Sequence, residues 1–186
     1  MPKVIDESRV FEAAVDLFVT RGYEGTTTKD IAAAAGVNEA TLFRRYGSKA
    51  HLMETAIDRQ WQDVPLTSLE YTGDLERDLT AIVDAYVETN RLRGAIVPAL
   101  LVELARNDEL RGAFRHAAMN IGHAAEILAR HQGEGRLRSE EPTFALTVLI
   151  GPVMVNEMIR RAGVGLHPTR IDSKEHVRVF LAGHAA

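Results

Sequence analysis

A chain of 186 residues, 46% hydrophobic and 26% charged, has the balance of a globular protein and can bury a core of one or two domains. It has no cysteine, which excludes disulfides and thiolate metal sites and suits a reducing cytoplasm. The net charge of −4 argues against indiscriminate nucleic-acid binding, but it is unevenly spread: residues 1–50 carry seven basic and seven acidic side chains, and residues 51–186 carry 15 and 19.

The first residues contain acids and no long apolar core, so they do not read as a secretory signal. A first helix is expected over residues 6–21, with Val10, Phe11, Ala14, Leu17 and Phe18 on one face and Gly22 at its end. Residues 26–49 then read as two short helices around a tight turn. Thr27 offers a capping hydroxyl with Asp30 three residues on, Gly36 supplies the left-handed stop, and Asn38 caps a helix from Glu39 to about Tyr46. Leu42 faces inward, leaving Thr41, Arg44 and Arg45 for another surface. Ser48 caps a fourth helix that should reach residue 64, where Pro65 stops it. It carries Leu52, Met53, Ala56, Ile57, Gln60 and Trp61 as one stripe.

After a loop at 65–73, an amphipathic helix should span 74–93, closed by Gly94. Pro98 suits the first turn of a short helix ending near residue 106. Asp108 can cap a long helix over 109–132, which Gly133 and Gly135 terminate. Glu141 and Pro142 open the next helix, to about 161; residues 144–156 are apolar nearly all round, which implies burial on more than one side. Pro152 within it costs roughly 3 kcal/mol unless the helix bends there. This apolar run is short for a membrane span, so no membrane partner is expected. After a loop at 163–171, Asp172 and Glu175 cap a last helix with Val177, Phe180 and Leu181 on one side. No strand-like alternation of any length occurs, so the fold class is all-α.

The hairpin at 26–49 has the form of a helix-turn-helix. A helix fits the B-DNA major groove, its N-terminal residues meeting base edges while the preceding helix crosses the backbone. Short polar residues at its start (Asn38, Glu39, Thr41) and the small Ala40 let the axis approach the bases. Arg44, Arg45 and Lys49 can neutralise phosphates. The competing reading is an αα-hairpin with a solvated basic face.

The surrounding residues decide between these, because they resemble the TetR family of transcriptional regulators. The resemblance covers roughly residues 11–52: Gly22–Tyr23, Thr26–Thr27, Asp30-Ile31-Ala32, Ala35-Gly36-Val37, Thr41-Leu42-Phe43 and Ser48–Lys49. Phe43 stands where the family usually has tyrosine, Arg45 where histidine is common, and Ala40 where glycine is common. The resemblance implies DNA contacts from Thr27, Thr28, Lys29, Asn38, Glu39, Ala40, Thr41, Phe43, Arg44, Arg45 and Lys49, with Arg44 and Arg45 replacing the missing tyrosine hydroxyl on phosphate. It also implies a DNA-binding domain at 1–47, an effector-binding and dimerisation domain at 48–186, and a homodimer built by the last two helices as a four-helix bundle. The surplus apolar surface of those helices agrees.

No metal or catalytic motif competes. His116 and His123 share a helix face, yet no ligand set of zinc spacing accompanies them, so no metal site is assigned. There is no GxSxG, P-loop or GxGxxG, and no enzyme is expected; nor is any cofactor. Soft or polar residues on otherwise apolar faces (Trp61, Tyr86, Asn90, Met119, His123, Met154 and Asn156) are the candidates for a small-molecule site taking a mainly apolar effector. Taken with these residues, the resemblance implies a cytoplasmic, homodimeric regulator that binds a palindromic double-stranded operator, a repressor released by a small molecule. The alternatives are a helical-bundle enzyme or binding protein with an incidental hairpin, and a regulator without an effector.

Overall fold

The computed structural model describes residues 6–163 and 170–186, so most of the loop expected at 163–171 lies outside the described residues, as do the first five residues. Among the described residues every regular element is helical, and the only β contact is an isolated antiparallel bridge between Leu137 and Ala185. The α-helices are α1 (Glu7–Arg21), α2 (Thr28–Ala35), α3 (Glu39–Tyr46), α4 (Lys49–Arg59), α5 (Leu75–Arg93), α6 (Ile96–Leu104), α7 (Arg115–Gly133), α8 (Pro142–Arg161) and α9 (Ser173–His184). Short 3-10 turns occupy Pro65–Ser68 and Asp108–Phe114. The chain divides into two compact units, Met1–Gln62 with Ala95–Ala117, and Asp63–Gly94 with Ala118–Ala186. The boundary expected at 47/48 falls inside the first unit.

In the first unit, α1 lays Val10, Ala14 and Phe18 against Ile31 of α2, Leu42 of α3 and Leu52, Met53 and Ile57 of α4. Leu100 of α6 and Leu110 complete this core. Two acids of α4 reach the start of α7 and the turn before it. Asp58 accepts the His116 backbone N–H (2.9 Å), one of the orphan donors of a helix start, and pairs with the His116 ring nitrogen Nδ1 (2.6 Å). Glu54 lies so close to Gly112 that a Cβ there would fall 1.3 Å from its Oε1. Glycine keeps that approach open.

Two helix limits differ from the sequence expectation. The fourth helix ends at Arg59 rather than residue 64: Gln60, Trp61 and Gln62 each donate to the carbonyl three residues back, tightening the chain into turns. Val64 is then extended (φ −118, ψ 155), as a residue before proline must be. The helix expected from 109 begins as a 3-10 turn, and α7 proper starts at Arg115. Three residues per turn put Leu110 and Ala113 on one face, and both are buried.

In the second unit, Leu79, Ile82 and Val83 of α5 pack with Leu128 of α7, Leu146, Leu149 and Val153 of α8, and Val177 and Phe180 of α9. A fully buried hydrogen bond joins α5 to α7: Asp78 Oδ2 lies 2.9 Å from His131 Nε2. Burial alone would raise the Asp78 carboxyl, but hydrogen bonds from the Thr72 hydroxyl and amide and from His131 outweigh it and hold it below its ordinary value. Helix α8 runs on through Pro152. Among the described residues only one of its faces is buried; Phe144, Val155 and Met158 are exposed, as is Val179 of α9. Phe180 is a core residue stacked on His184 at 4.2 Å.

Candidate nucleic-acid interface

The hairpin forms for reasons local to its sequence. The Thr27 hydroxyl accepts the Asp30 amide (3.1 Å) and so starts α2. Gly36 takes φ +69, and the Gly36 and Val37 amides return to the Ala33 and Ala32 carbonyls, which are the paired bonds of a Schellman stop. Asn38 Oδ1 then accepts the Ala40 amide (2.8 Å) to start α3. Across the turn the buried Thr28 hydroxyl donates to Glu39 Oε1 at 2.7 Å, tying the first residues of the two helices together.

Helix α1 fixes the other end of α3. Leu42 and Tyr46 are buried; the Tyr46 ring meets Phe11 edge-on at 6.0 Å, and its hydroxyl donates to Glu7 Oε1 (3.1 Å). Burial, with the Glu7 charge, raises the Tyr46 phenol. Opposite this packed side Asn38, Ala40, Phe43 and Arg44 are exposed, as is Lys29 at the start of α2, with Thr41 half-buried beside them. Phe43 is 48% exposed despite its apolar ring. The face that α3 turns outward is thus small and polar at its start, and aromatic and cationic at its end.

The expected phosphate cations are not equivalent. Arg44 is exposed and forms no hydrogen bond or ion pair with the described residues. Arg45 folds back onto Glu7, 2.6 Å from its Oε1, and that carboxylate raises its already high pKa. Lys49 donates to the Tyr23 carbonyl (2.9 Å) and sits 3.9 Å over the Tyr23 ring. Thr28, expected at the DNA, is instead buried beneath Glu39. The partners that set these differences are distant in sequence. The Tyr23 amide donates to Glu103 Oε1 (3.1 Å) and its hydroxyl to Glu109 (3.2 Å), 80 and 86 residues away. Burial, with Glu109, pushes the Tyr23 phenol up to about 12.

The residues expected at a ligand site are dispersed. Trp61 is buried in the first unit; the other six belong to the second. Tyr86 and Asn90 lie one turn apart on α5, joined by Asn90 Nδ2 to the Tyr86 carbonyl (3.2 Å). Burial raises the Tyr86 phenol. Met154 and Asn156 are half-buried on α8. Met119 is 62% exposed and His123 is exposed with its ring bound to the Leu69 carbonyl (2.8 Å), so neither lines an interior site within the unit. Sequence reasoning missed Thr89, whose buried hydroxyl lacks a hydrogen-bond partner, as does the buried Asn156 Nδ2. Such atoms are costly unless something satisfies them. Among the described residues no group of three or more His, Asp or Glu could hold a metal ion.

Comparison with known proteins matches residues 10–56 to the model for bacterial regulatory proteins of the tetR family, and residues 69–170, more than half of the chain, to the tetracyclin repressor-like C-terminal domain. The HTH-type transcriptional regulator YvkB of Bacillus subtilis is 36% identical over 89 residues, 48% of this chain and 47% of that protein. The chain thus spans about half the length of the curated relatives it matches first. TcmR of Streptomyces glaucescens, also an HTH-type transcriptional regulator, is 28% identical over 85% of this chain and 75% of its own. Among solved structures, a tetR family regulator from Shewanella sp. PV-4 superposes with a TM-score of 0.73 at 20% identity, covering 97% of this chain and 98% of that one. A transcriptional regulator from Saccharomonospora viridis, solved with choline, gives 0.72 at 19% identity, with 97% of each chain covered. At these identities the structural likeness is one of fold.

Proposed function

We infer the function from the premise that the two matched models establish: the chain belongs to the tetR family of bacterial regulatory proteins, DNA-binding transcriptional regulators and not enzymes. On that premise the protein is a cytoplasmic, homodimeric repressor that binds an inverted-repeat operator and leaves it when a small molecule binds. The observation that carries the DNA part is the outward face of α3. Its first turn is small and polar, its far end is cationic, and the helix is fixed at its start by Thr28–Glu39 and at its end by Tyr46–Glu7. A recognition helix must be rigid and must approach base edges closely.

The dimer reading rests on α8. By length and composition this helix could cross a membrane, but Ala145, Leu146, Leu149 and Val153 are buried in its own unit, and buried Glu157 pairs with Arg160 (2.6 Å). Phe144, Gly151 and Met158 recur every seven residues with Val148 and Val155 between them, so they share one helical stripe. A second subunit's helices suit that stripe, in place of the core residue Phe180. The effector reading draws on α5 and α8, where the buried Thr89 Oγ1 and Asn156 Nδ2 have no hydrogen-bond partner and Tyr86, Asn90 and Met154 lie within a turn of them along their helices. A related fold solved with choline makes a small organic ligand a reasonable class.

The route from effector to head would run through the start of α7, which Asp58 caps, because that contact ties α4 to a helix continuing to Gly133. The effector acts only by binding the released state more tightly. The test is selection from a random duplex library, followed by titration of the selected site at several salt concentrations. Enrichment of an inverted repeat with half-sites about one helical turn apart, ~34–36 Å, supports the reading. Equal affinity for selected and random duplexes would refute it.

A further inference from the structure

The Thr28–Glu39 bond has a consequence for base recognition. Glu39 is the first residue of α3, half-buried, at the end of the helix that meets base edges. Its Oε1 accepts from Thr28, and its Oε2 has no partner among the described residues. Thr28 is 8% exposed, and its hydroxyl, 2.7 Å from Oε1, gives the carboxylate a buried point of attachment. Exposed Ala40 and Asn38, whose side chain is occupied as the α3 cap, add no bulk between this carboxylate and a groove. Resting on the reading of α3 as a recognition helix, we propose that Glu39 reads a cytosine in each half-site, accepting from its N4 amino group, and that Thr28 is the positioning residue that aims it.

The chemistry selects the base. An ionised carboxylate only accepts hydrogen bonds. In the major groove guanine presents N7 and O6 and thymine presents O4 and a methyl, so both offer acceptors that repel it. Adenine offers its N6 amino group, but with the N7 acceptor alongside. Cytosine alone presents a donor with no neighbouring acceptor on its own edge. The same negative charge opposes the phosphates of every sequence, so Glu39 also weakens binding where no cytosine rewards it. That gives an acidic residue at a DNA-facing helix a role beyond the favourable helix dipole at its N-terminus.

The test is parallel selection with the wild-type full chain, Glu39→Gln, Thr28→Val and Thr28→Ser. Titrations would follow on the selected duplex and on one in which the assigned cytosine is replaced by a pyrimidinone lacking the exocyclic amine. The wild type should enrich cytosine at one position per half-site and bind the amine-lacking duplex about tenfold more weakly per half-site, the size of one good base contact. Glu39→Gln should lose that cytosine, turning to adenine, which an amide can bind through N6 and N7, or to no preference; it should be indifferent to the missing amine. Thr28→Val keeps the shape without the hydroxyl and should reduce the preference at that position alone, and Thr28→Ser should restore it. A Glu39→Gln protein that selects the same base at every position and still responds to the missing amine overturns the assignment. A Thr28→Val protein with full preference removes Thr28 from it. A wild type that enriches no sequence overturns both this assignment and the regulator reading; an inverted repeat indifferent to Glu39 overturns this assignment alone.

Discussion

The phosphate contacts offer a quantitative test, because three neighbouring cations sit in three different environments. Binding to B-DNA releases counterions, and the slope of log affinity against log salt is about −0.9 per neutralised phosphate. Arg44 is exposed and unpaired among the described residues, so Arg44→Ala in both heads of a dimer should flatten the slope by about 1.8. Across a fourfold change in salt, such as about 50 to 200 mM, that is roughly a twelvefold smaller loss of affinity. Lys49 is spent on the Tyr23 carbonyl and ring, so Lys49→Ala should leave the slope nearly unchanged while lowering stability by about 1–2 kcal/mol. Arg45 stands between them. Its pair with Glu7 is half-exposed on both sides, a class of ion pair that holds weakly, so phosphate and Glu7 compete for it. Glu7→Gln should therefore steepen the slope, and should not do so in an Arg45→Ala background. The assay is fluorescence anisotropy of a labelled duplex at four salt concentrations, with a thermal melt of each variant as control. If Arg44→Ala and Lys49→Ala flatten the slope equally, or Glu7→Gln steepens it without Arg45, the reasoning fails.

Three other outcomes follow from the geometry. Asp78→Ala leaves the Thr72 amide and hydroxyl and the His131 ring without their buried acceptor and should cost about 2–3 kcal/mol by chemical denaturation. Because the Asp78 pKa is lowered on folding, its contribution is present above the unfolded carboxylate value, near 4, and disappears as pH falls through the folded one. Acid destabilisation of the wild type should accordingly contain a component that Asp78→Asn lacks; identical pH profiles would show the pair to be neutral in energy. Phe144→Asp and Val155→Asp alter exposed positions and should give folded monomers by sedimentation, whereas Phe180→Asp should unfold the second unit; a dimeric Val155→Asp would move the interface away from that stripe. Asp58→Ala removes the cap of α7 and should lower stability by about 1–2 kcal/mol and reduce the factor by which effector and operator weaken each other. An unchanged coupling factor would place the signal on another route.

What the sequence by itself determined are the features whose causes lie within a few residues. Thr27, Gly36 and Asn38 set the helix-turn-helix through caps and a left-handed glycine, and α1 to α3 begin and end within a residue of the positions expected. Asp74, Glu141 and Asp172 likewise mark helix starts, since a cap bond spans only two or three residues. The apolar stripes gave the cores for a similar reason: periodicity is local. Helix ends without a strong stop were less legible, and α4 closes at Arg59 through turns that no single residue dictates. Tertiary structure alone decided which functional side chains are available. Arg44, Arg45 and Lys49 look alike as letters, yet Glu7, 38 residues from Arg45, draws one back and the Tyr23 carbonyl, 26 residues from Lys49, draws another. It also buried Thr28 under Glu39, put Phe180 in the core while leaving Val179 outside, and paired Asp78 with His131 across 53 residues. A side chain's periodic face is fixed by its own helix, but its partner is fixed by how helices pack, and that information is distributed over the whole chain.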